Sequence, residues 1–401
     1  MTVRTVSNLQ TGAGYRFKFR LLPGLLLGMM VALGGCASSD SKLDWAGVKK
    51  DAEPATLFEI KPTAKFEVRW HTGIGDLGSD VLQTVLIRNA IYCATDDGDL
   101  LRLDSATGDK IWRIKTGIVI SGGVSRGDGM VFVGSNKGDV LAYGEDGKLR
   151  WRSLVSSEVL NVSNEVDGIV MVRSGDGRIT GLNATDGKRV WMYDRITPAL
   201  VVRSHAGVAV QRGVAYAGFA AGKLAAIRIS DGEVLWESLV SEPRGNTELE
   251  RISDITSDPV VDDEQVCAVS FQGRIACFDT SRGNQLWSRD ISSFTGLTVF
   301  SKYIYLSDSS GSVISLDKTN GGIIWKNGDL LYRQLTVPYV LGKFVVVGDL
   351  EGYLHALSSD DGSISARIQL SGGAIVGTPV RLDGGLLVQT RGGELYSLTL
   401  K

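Results

Sequence analysis

Short apolar runs broken by polar turns recur along almost the whole chain. One unit reads Ile91-Tyr92-Cys93-Ala94, a turn at Asp97-Gly98, Leu100-Leu101-Arg102-Leu103-Asp104, and a second turn leading into Lys110-Ile111-Trp112. Brief runs of this kind, bounded by Gly, Asn and Asp, predict β-strands joined by hairpins.

The unit repeats. Trp70, Trp112, Trp151, Trp191, Trp236, Trp287 and Trp325 are spaced by 42, 39, 40, 45, 51 and 38 residues, a mean of 42.5. From Trp112 onward each closes the same phrase, as in Asp186-Gly187-Lys188-Arg189-Val190-Trp191, with the glycine four residues ahead of the ring. A further copy, Asp361-Gly362-Ser363-Ile364-Ser365-Ala366, keeps the turn and loses the ring. A four-stranded unit of this length cannot bury both faces alone, so copies must stack, and radial stacking predicts a β-propeller. The tryptophans are expected near the outer strands, wedged between blades with the indole N–H on a carbonyl.

Counting Trp70, the six phrases and the Ala366 copy gives eight closures. Phe66 to Trp70 has no hairpins before it, and the strands from Thr378 to Leu400 have no closing strand after them. The two ends complete one another. The expected fold is therefore all-β: an eight-bladed β-propeller over 66–401, four antiparallel strands per blade, its ring closed by the N-terminal strand joining the C-terminal blade.

Composition agrees with many tight turns: 50 glycines but only 8 prolines among 401 residues. With 43 basic and 45 acidic side chains, net −2, the chain has no charge excess for non-specific nucleic-acid binding.

Residues 1–35 read as an export signal, with Arg16, Lys18 and Arg20 ahead of the apolar run Leu21 to Leu33. The following Gly34-Gly35-Cys36 resembles the lipobox of bacterial lipoproteins, which implies that Cys36 becomes the acylated first residue. Ala37-Ser38-Ser39, without Asp after the cysteine, resembles lipoproteins sent to the outer membrane. Polar residues 36–65, with Pro54 and Pro62, are expected to form a flexible membrane tether on the periplasmic side.

Leu103-Asp104-Ser105-Ala106-Thr107-Gly108 and its echoes resemble the quinoprotein-like propeller repeat. Together with Gly73-Ile74-Gly75, Glu248-Leu249-Glu250-Arg251-Ile252-Ser253-Asp254-Ile255 and Val347-Gly348-Asp349-Leu350-Glu351-Gly352-Tyr353-Leu354-His355, the chain resembles the BamB family of lipoproteins. The resemblance implies a non-catalytic scaffold of the outer-membrane β-barrel assembly (Bam) complex that docks on the periplasmic POTRA domains of BamA. It also implies a part in handing over unfolded barrel precursors. Two neighbouring loops would form the contact surface, with Leu200, Val202 and Arg203 matching on one, and Arg251 and Asp254 on the other. Val202, Ser204 and Thr256 depart from the family pattern. Pattern alone leaves open a second reading, in which Leu200 and Val202 are strand core and Arg203 is solvated. Blade edges that pair with precursor strands are a further alternative surface.

Enzyme chemistry has little support. A membrane-anchored quinoprotein dehydrogenase, holding PQQ and calcium, is the main alternative, but the adjacent-cysteine pair by which those enzymes resemble one another is missing. No cofactor or metal is expected. Gly73-Ile74-Gly75-Asp76-Leu77-Gly78 fits G-x-G-x-x-G without a βαβ unit around it. His71, His205 and His355 lack metal-ligand spacing. Cys267 and Cys277 flank a turn near Gln272-Gly273; buried thiols are the expected state, with a cross-hairpin disulfide as the alternative.

Overall fold

The computed structural model describes residues 53–78 and 82–401; Cys36, the signal and the first part of the tether lie outside them. The described residues form eight four-stranded antiparallel sheets, and this is the expected eight-bladed propeller. Seven sheets use consecutive strands, the first being Val85–Ile87, Ala90–Ala94, Asp99–Asp104 and Lys110–Lys115. The eighth takes three strands from residues 375–400 and its outer strand, Phe66–Gly73, from the other end of the chain. There Phe66 pairs with Leu400 and Gly73 with Glu394. We number the blades one to eight in that order.

Middle strands are buried along their length, as in Ala90–Ala94 and Phe344–Gly348. Outer strands alternate: Lys110–Lys115 leaves Ile111 half exposed while Trp112 turns inward. In six of the eight blades, the turn between the second and third strands is stapled by its own repeat. A side-chain oxygen from Thr95, Ser135, Ser270, Asp308, Asp349 or Thr390 accepts the N–H of the residue four further on. The backbone donors freed by the turn are thereby satisfied.

The tryptophans bind blade to blade. Each indole N–H from Trp112 to Trp325 donates to a carbonyl of the following blade: Glu145, Ala184, Ile229, Thr280, Lys318 and Ser359, at 2.6–3.2 Å. The phrase glycine of that following blade then lies flat on the ring. A Cβ at Gly232 or Gly283 would collide with the indole of Trp191 or Trp236, and both glycines have φ above +70°. The glycine of one repeat is thus the seat for the tryptophan of the repeat before it.

Ala366 follows from the same rule. Blade eight has no third-to-fourth-strand turn, because the chain ends meet there, Lys65 and Lys401 exchanging backbone hydrogen bonds of 2.8 and 3.0 Å. No glycine seat exists for a ring from blade seven. Ala64 and Phe66 instead pack in one cluster with Ala366.

Residues 53–65, expected in the flexible tether, are mostly exposed, but several contacts hold them against the propeller and Ala64 is buried. The amides of Thr63 and Ala64 donate to Ser365 O, and that of Ala55 to Leu331 O. Leu57 joins the core cluster of blades six and seven. The carbonyls of Ala55 and Phe58 accept from Arg333 and Arg367 at 2.9 and 2.8 Å. Apolar side chains and two arginines hold this segment against the rim.

The cysteines correct the expected buried thiols at one pair. Cys267 and Cys277 are direct cross-strand partners, with Cα atoms 4.1 Å apart, and form a disulfide. Cys93 remains a buried thiol whose pKa burial pushes up to about 12, so it is inert at neutral pH.

Candidate functional site

Connections between blades emerge at the same end as the second-to-third-strand turns, a consequence of four antiparallel strands per blade. Two of these connections are long: residues 194–207, from blade three to blade four, and 240–259, from blade four to blade five. They carry all the loop residues singled out in the sequence.

Leu200 and Val201 are 41% and 37% exposed and lie outside any strand, the next strand beginning at Val208. This disposes of the strand-core reading for Leu200. Val202 is half-buried, and its N–H donates to Asp254 Oδ2 at 2.7 Å. Asp254 Oδ1 accepts from the amide of Ala221 in blade four at 2.9 Å, and its own carbonyl accepts from Phe271 of blade five. Only 4% of Asp254 is exposed. It therefore positions the surface from beneath, pinning the first loop to the turns of two blades.

Arg203 reaches back across the blade boundary to Glu158, with Nη2 2.7 Å and Nε 3.3 Å from the two carboxylate oxygens. His205 steadies it at 3.2 Å and bonds in turn to Leu160 O. The guanidinium is thereby oriented and stays about half exposed. Arg251 is exposed and pairs loosely with Glu248, 3.9 Å away, inside its own loop. Beside it Glu250 accepts the amides of Asn246 and Thr247, which hold its carboxylate below the ordinary range. Leu249 projects from this turn, 66% exposed. The structure ties Asp254 directly to Val202, whereas Arg251 touches neither Leu200, Val202 nor Arg203 by any hydrogen bond or ion pair among the described residues. Thr256 is buried and donates to Phe294 O.

One residue escaped the sequence reading. Arg173, on the second strand of blade three, lines a cleft at the foot of the first loop with Val202, Phe219 and Asp254. It stands four residues before the turn glycine, where the other blades have Ala94, Gly134, Gly218, Val269, Ser307, Gly348 and Gln389. Lining up the eight repeats would have exposed this lone cation.

Gly73 to Gly78 leads from the outer strand of blade eight toward blade one, with Ile74 and Leu77 fully buried. The amides of Ile74 and Leu77 are spent on Gly393 O and Arg391 O, and the next element is the strand Val85–Ile87.

The comparisons with known proteins agree with this architecture. A family profile described as "Outer membrane protein assembly factor BamB" matches residues 96–327. A protein of that name from Nitrosomonas eutropha is 40% identical over 391 residues, covering 95% of this chain and 96% of its own. The Bordetella pertussis protein of the same name is 36% identical over 91% of this chain and 94% of its own. The crystal structure of BamB from Moraxella catarrhalis superposes with a TM-score of 0.74 at 27% identity, over 82% of this chain and 99% of that one. The quinohemoprotein alcohol dehydrogenase of Comamonas testosteroni, 12% identical with a TM-score of 0.68 over 83% of this chain and 76% of its own, shares the fold alone. With a profile spanning more than half the sequence and relatives matching it nearly end to end, this chain belongs to the BamB family of outer-membrane protein assembly factors.

Proposed function

We propose that the chain is a non-catalytic scaffold of the Bam complex, held at the outer membrane on its periplasmic side through acylated Cys36, and that it docks on the POTRA domains of BamA. The observation that carries this reading is the construction of the two loops. Asp254 fixes the first loop by its backbone, which leaves Leu200 and Val201 as exposed apolar anchors beside a guanidinium held by Glu158. Apolar anchors with an arginine at their edge, presented rigidly, are the arrangement that binding hot spots use. Leu249 and Arg251 extend the surface onto the second loop.

The test is a double substitution, Leu200→Asp with Arg203→Glu. Both side chains are partly exposed, so the thermal midpoint is expected to stay within a few degrees while co-purification with BamA is lost. Undiminished co-purification would refute the docking assignment.

A further inference from the structure

Arg173 is a buried cation without an ion-pair partner. It is 8% exposed, and its one hydrogen bond among the described residues runs from Nη1 to Ala206 O at a long 3.3 Å. No carboxylate oxygen among them lies within ion-pair distance. Asp254, the acid that lines the cleft, has already committed one oxygen to Val202 and the other to Ala221, and the buried Asp258, which attracts Arg173 from outside the cleft, accepts the Gly207 amide. The partial compensation is aromatic: the guanidinium carbon sits 5.2 Å from the centre of the Phe219 ring. A second cation, Arg195, stands 5.4 Å from the same ring. Burial lowers the Arg173 pKa to about 10, against the opposing pull of Asp258 and Asp254, so the side chain is still charged at neutral pH.

A guanidinium carries five donors in a planar fork, and buried arginines normally spend them on carboxylates or carbonyls. Here Arg173 lines a cleft beneath the exposed loop, with only Nη1 bonded among the described residues. We propose that this cleft is a receptor for one acidic side chain of the docking partner, whose carboxylate enters between the two loops and takes the free donors of Arg173. This deepens the docking assignment and rests on it. The cleft would supply charge selection, in that an aspartate or glutamate is accepted while a lysine or arginine is rejected by Arg173. Ser174 and Thr197 on the cleft wall are occupied by Asp176 and so leave the incoming carboxylate to the guanidinium.

The experiment measures binding of the full-length lipoprotein to BamA, both in detergent, for the wild type, Arg173→Met, Arg173→Lys and the Leu200→Asp/Arg203→Glu variant, with thermal midpoints alongside. Arg173→Met is expected to weaken binding roughly 30-fold or more, without lowering the midpoint. Arg173→Lys, which keeps the charge and loses the fork, should fall between the two. An alanine scan of acidic BamA residues should find one whose loss weakens binding to the wild type but not to Arg173→Met. If Leu200→Asp/Arg203→Glu abolishes binding while both Arg173 variants bind as the wild type does, the cleft is not a receptor although the docking surface stands. If the Leu200→Asp/Arg203→Glu variant binds normally, the docking reading itself fails. A midpoint that drops in step with affinity in both Arg173 variants would make Arg173 a structural residue and overturn the proposal.

Discussion

Two buried arginines, Arg173 under the loops of blades three to five and Arg333 before blade seven, are managed in opposite ways. Every nitrogen of Arg333 is engaged. Its Nε donates to Asp349 at 2.7 Å, Nη2 pairs with Glu351, and Nη1 holds the carbonyl of Ala55. Asp349, fully buried, accepts also from His355 Nε2 at 3.0 Å, and from the amides of Glu351 and Tyr353. His355 Nδ1 in turn faces Nε of Arg367, which grips Phe58 through its carbonyl and its ring. These partners raise the pKa of Arg333 despite its burial, whereas that of Arg173 is lowered to about 10. This network closes on the chain's own N-terminal segment. Arg173 lines a cleft on the proposed docking side. A buried charge whose partners are all internal is a fastening; one left with a single long hydrogen bond needs its own explanation, which the proposed receptor supplies.

The contrast is sharpest in Asp349→Ala. Removing the acid breaks a buried ion pair, leaves Arg333 with Glu351 as its one remaining carboxylate, takes the acceptor from His355 and uncaps two backbone amides, for an expected loss of about 3–5 kcal/mol. Urea unfolding followed by tryptophan fluorescence measures it. Asp349→Asn, which keeps an oxygen for the amides, should cost less. A loss below about 1 kcal/mol would mean that water enters the network and that it is no fastening.

Asp254→Ala comes next in size. It orphans the amides of Val202 and Ala221, at a cost of about 1–3 kcal/mol, reduced if water reaches the freed groups. Hydrogen exchange is the direct readout: the Val202 and Ala221 amides should lose protection while those of blade seven keep theirs. Unchanged protection at Val202 would remove the argument that Asp254 positions the docking loop.

How these sites arise explains what the sequence could reveal. The propeller, its eight blades and its closure were legible because Trp and Gly recur at fixed spacing and each meets the neighbouring repeat in the same way. The loss of the ring at Ala366 was visible, but its cause was not, since it depends on where the chain ends meet in space. Leu200 and Arg203 could be picked out from a motif. The burial of Asp254 could not, because its partners Val202 and Ala221 lie 52 and 33 residues away. The attachment of residues 53–65 was hidden for a similar reason: Arg333 and Arg367 are distant in sequence, and polar composition reads as linker whether or not carbonyls are being gripped.

For Arg173 the informative quantity is a sign rather than a size. For a buried cation that makes no direct ion pair, the desolvation cost outweighs the attraction of Asp258 and Asp254, so Arg173→Met should leave stability unchanged or somewhat raised. Arg333→Met should lower it, because Asp349 would be left buried with one counter-charge fewer. Equal losses in the two variants would dissolve the distinction between the two sites.

The smallest effect near neutral pH belongs to His355. Burial, reinforced by Arg367 and Arg333, depresses its pKa below 6.5 against the pull of Asp349. The unfolded chain takes up a proton near pH 6.5 that the folded chain refuses, so stability is complete above that pH and declines as pH falls from there toward the folded pKa. Asp349, whose own pKa is held below 3.8 by His355 and Arg333, adds a second loss only in stronger acid. Arg173 titrates far above this range and contributes no slope. Urea midpoints should therefore fall between pH 7 and pH 5.5 in the wild type, and His355→Gln should flatten that part of the profile. The Arg173→Met profile should run parallel to the wild type. A slope that survives in His355→Gln would place the acid-sensitive group elsewhere and uncouple the blade-seven fastening from protonation.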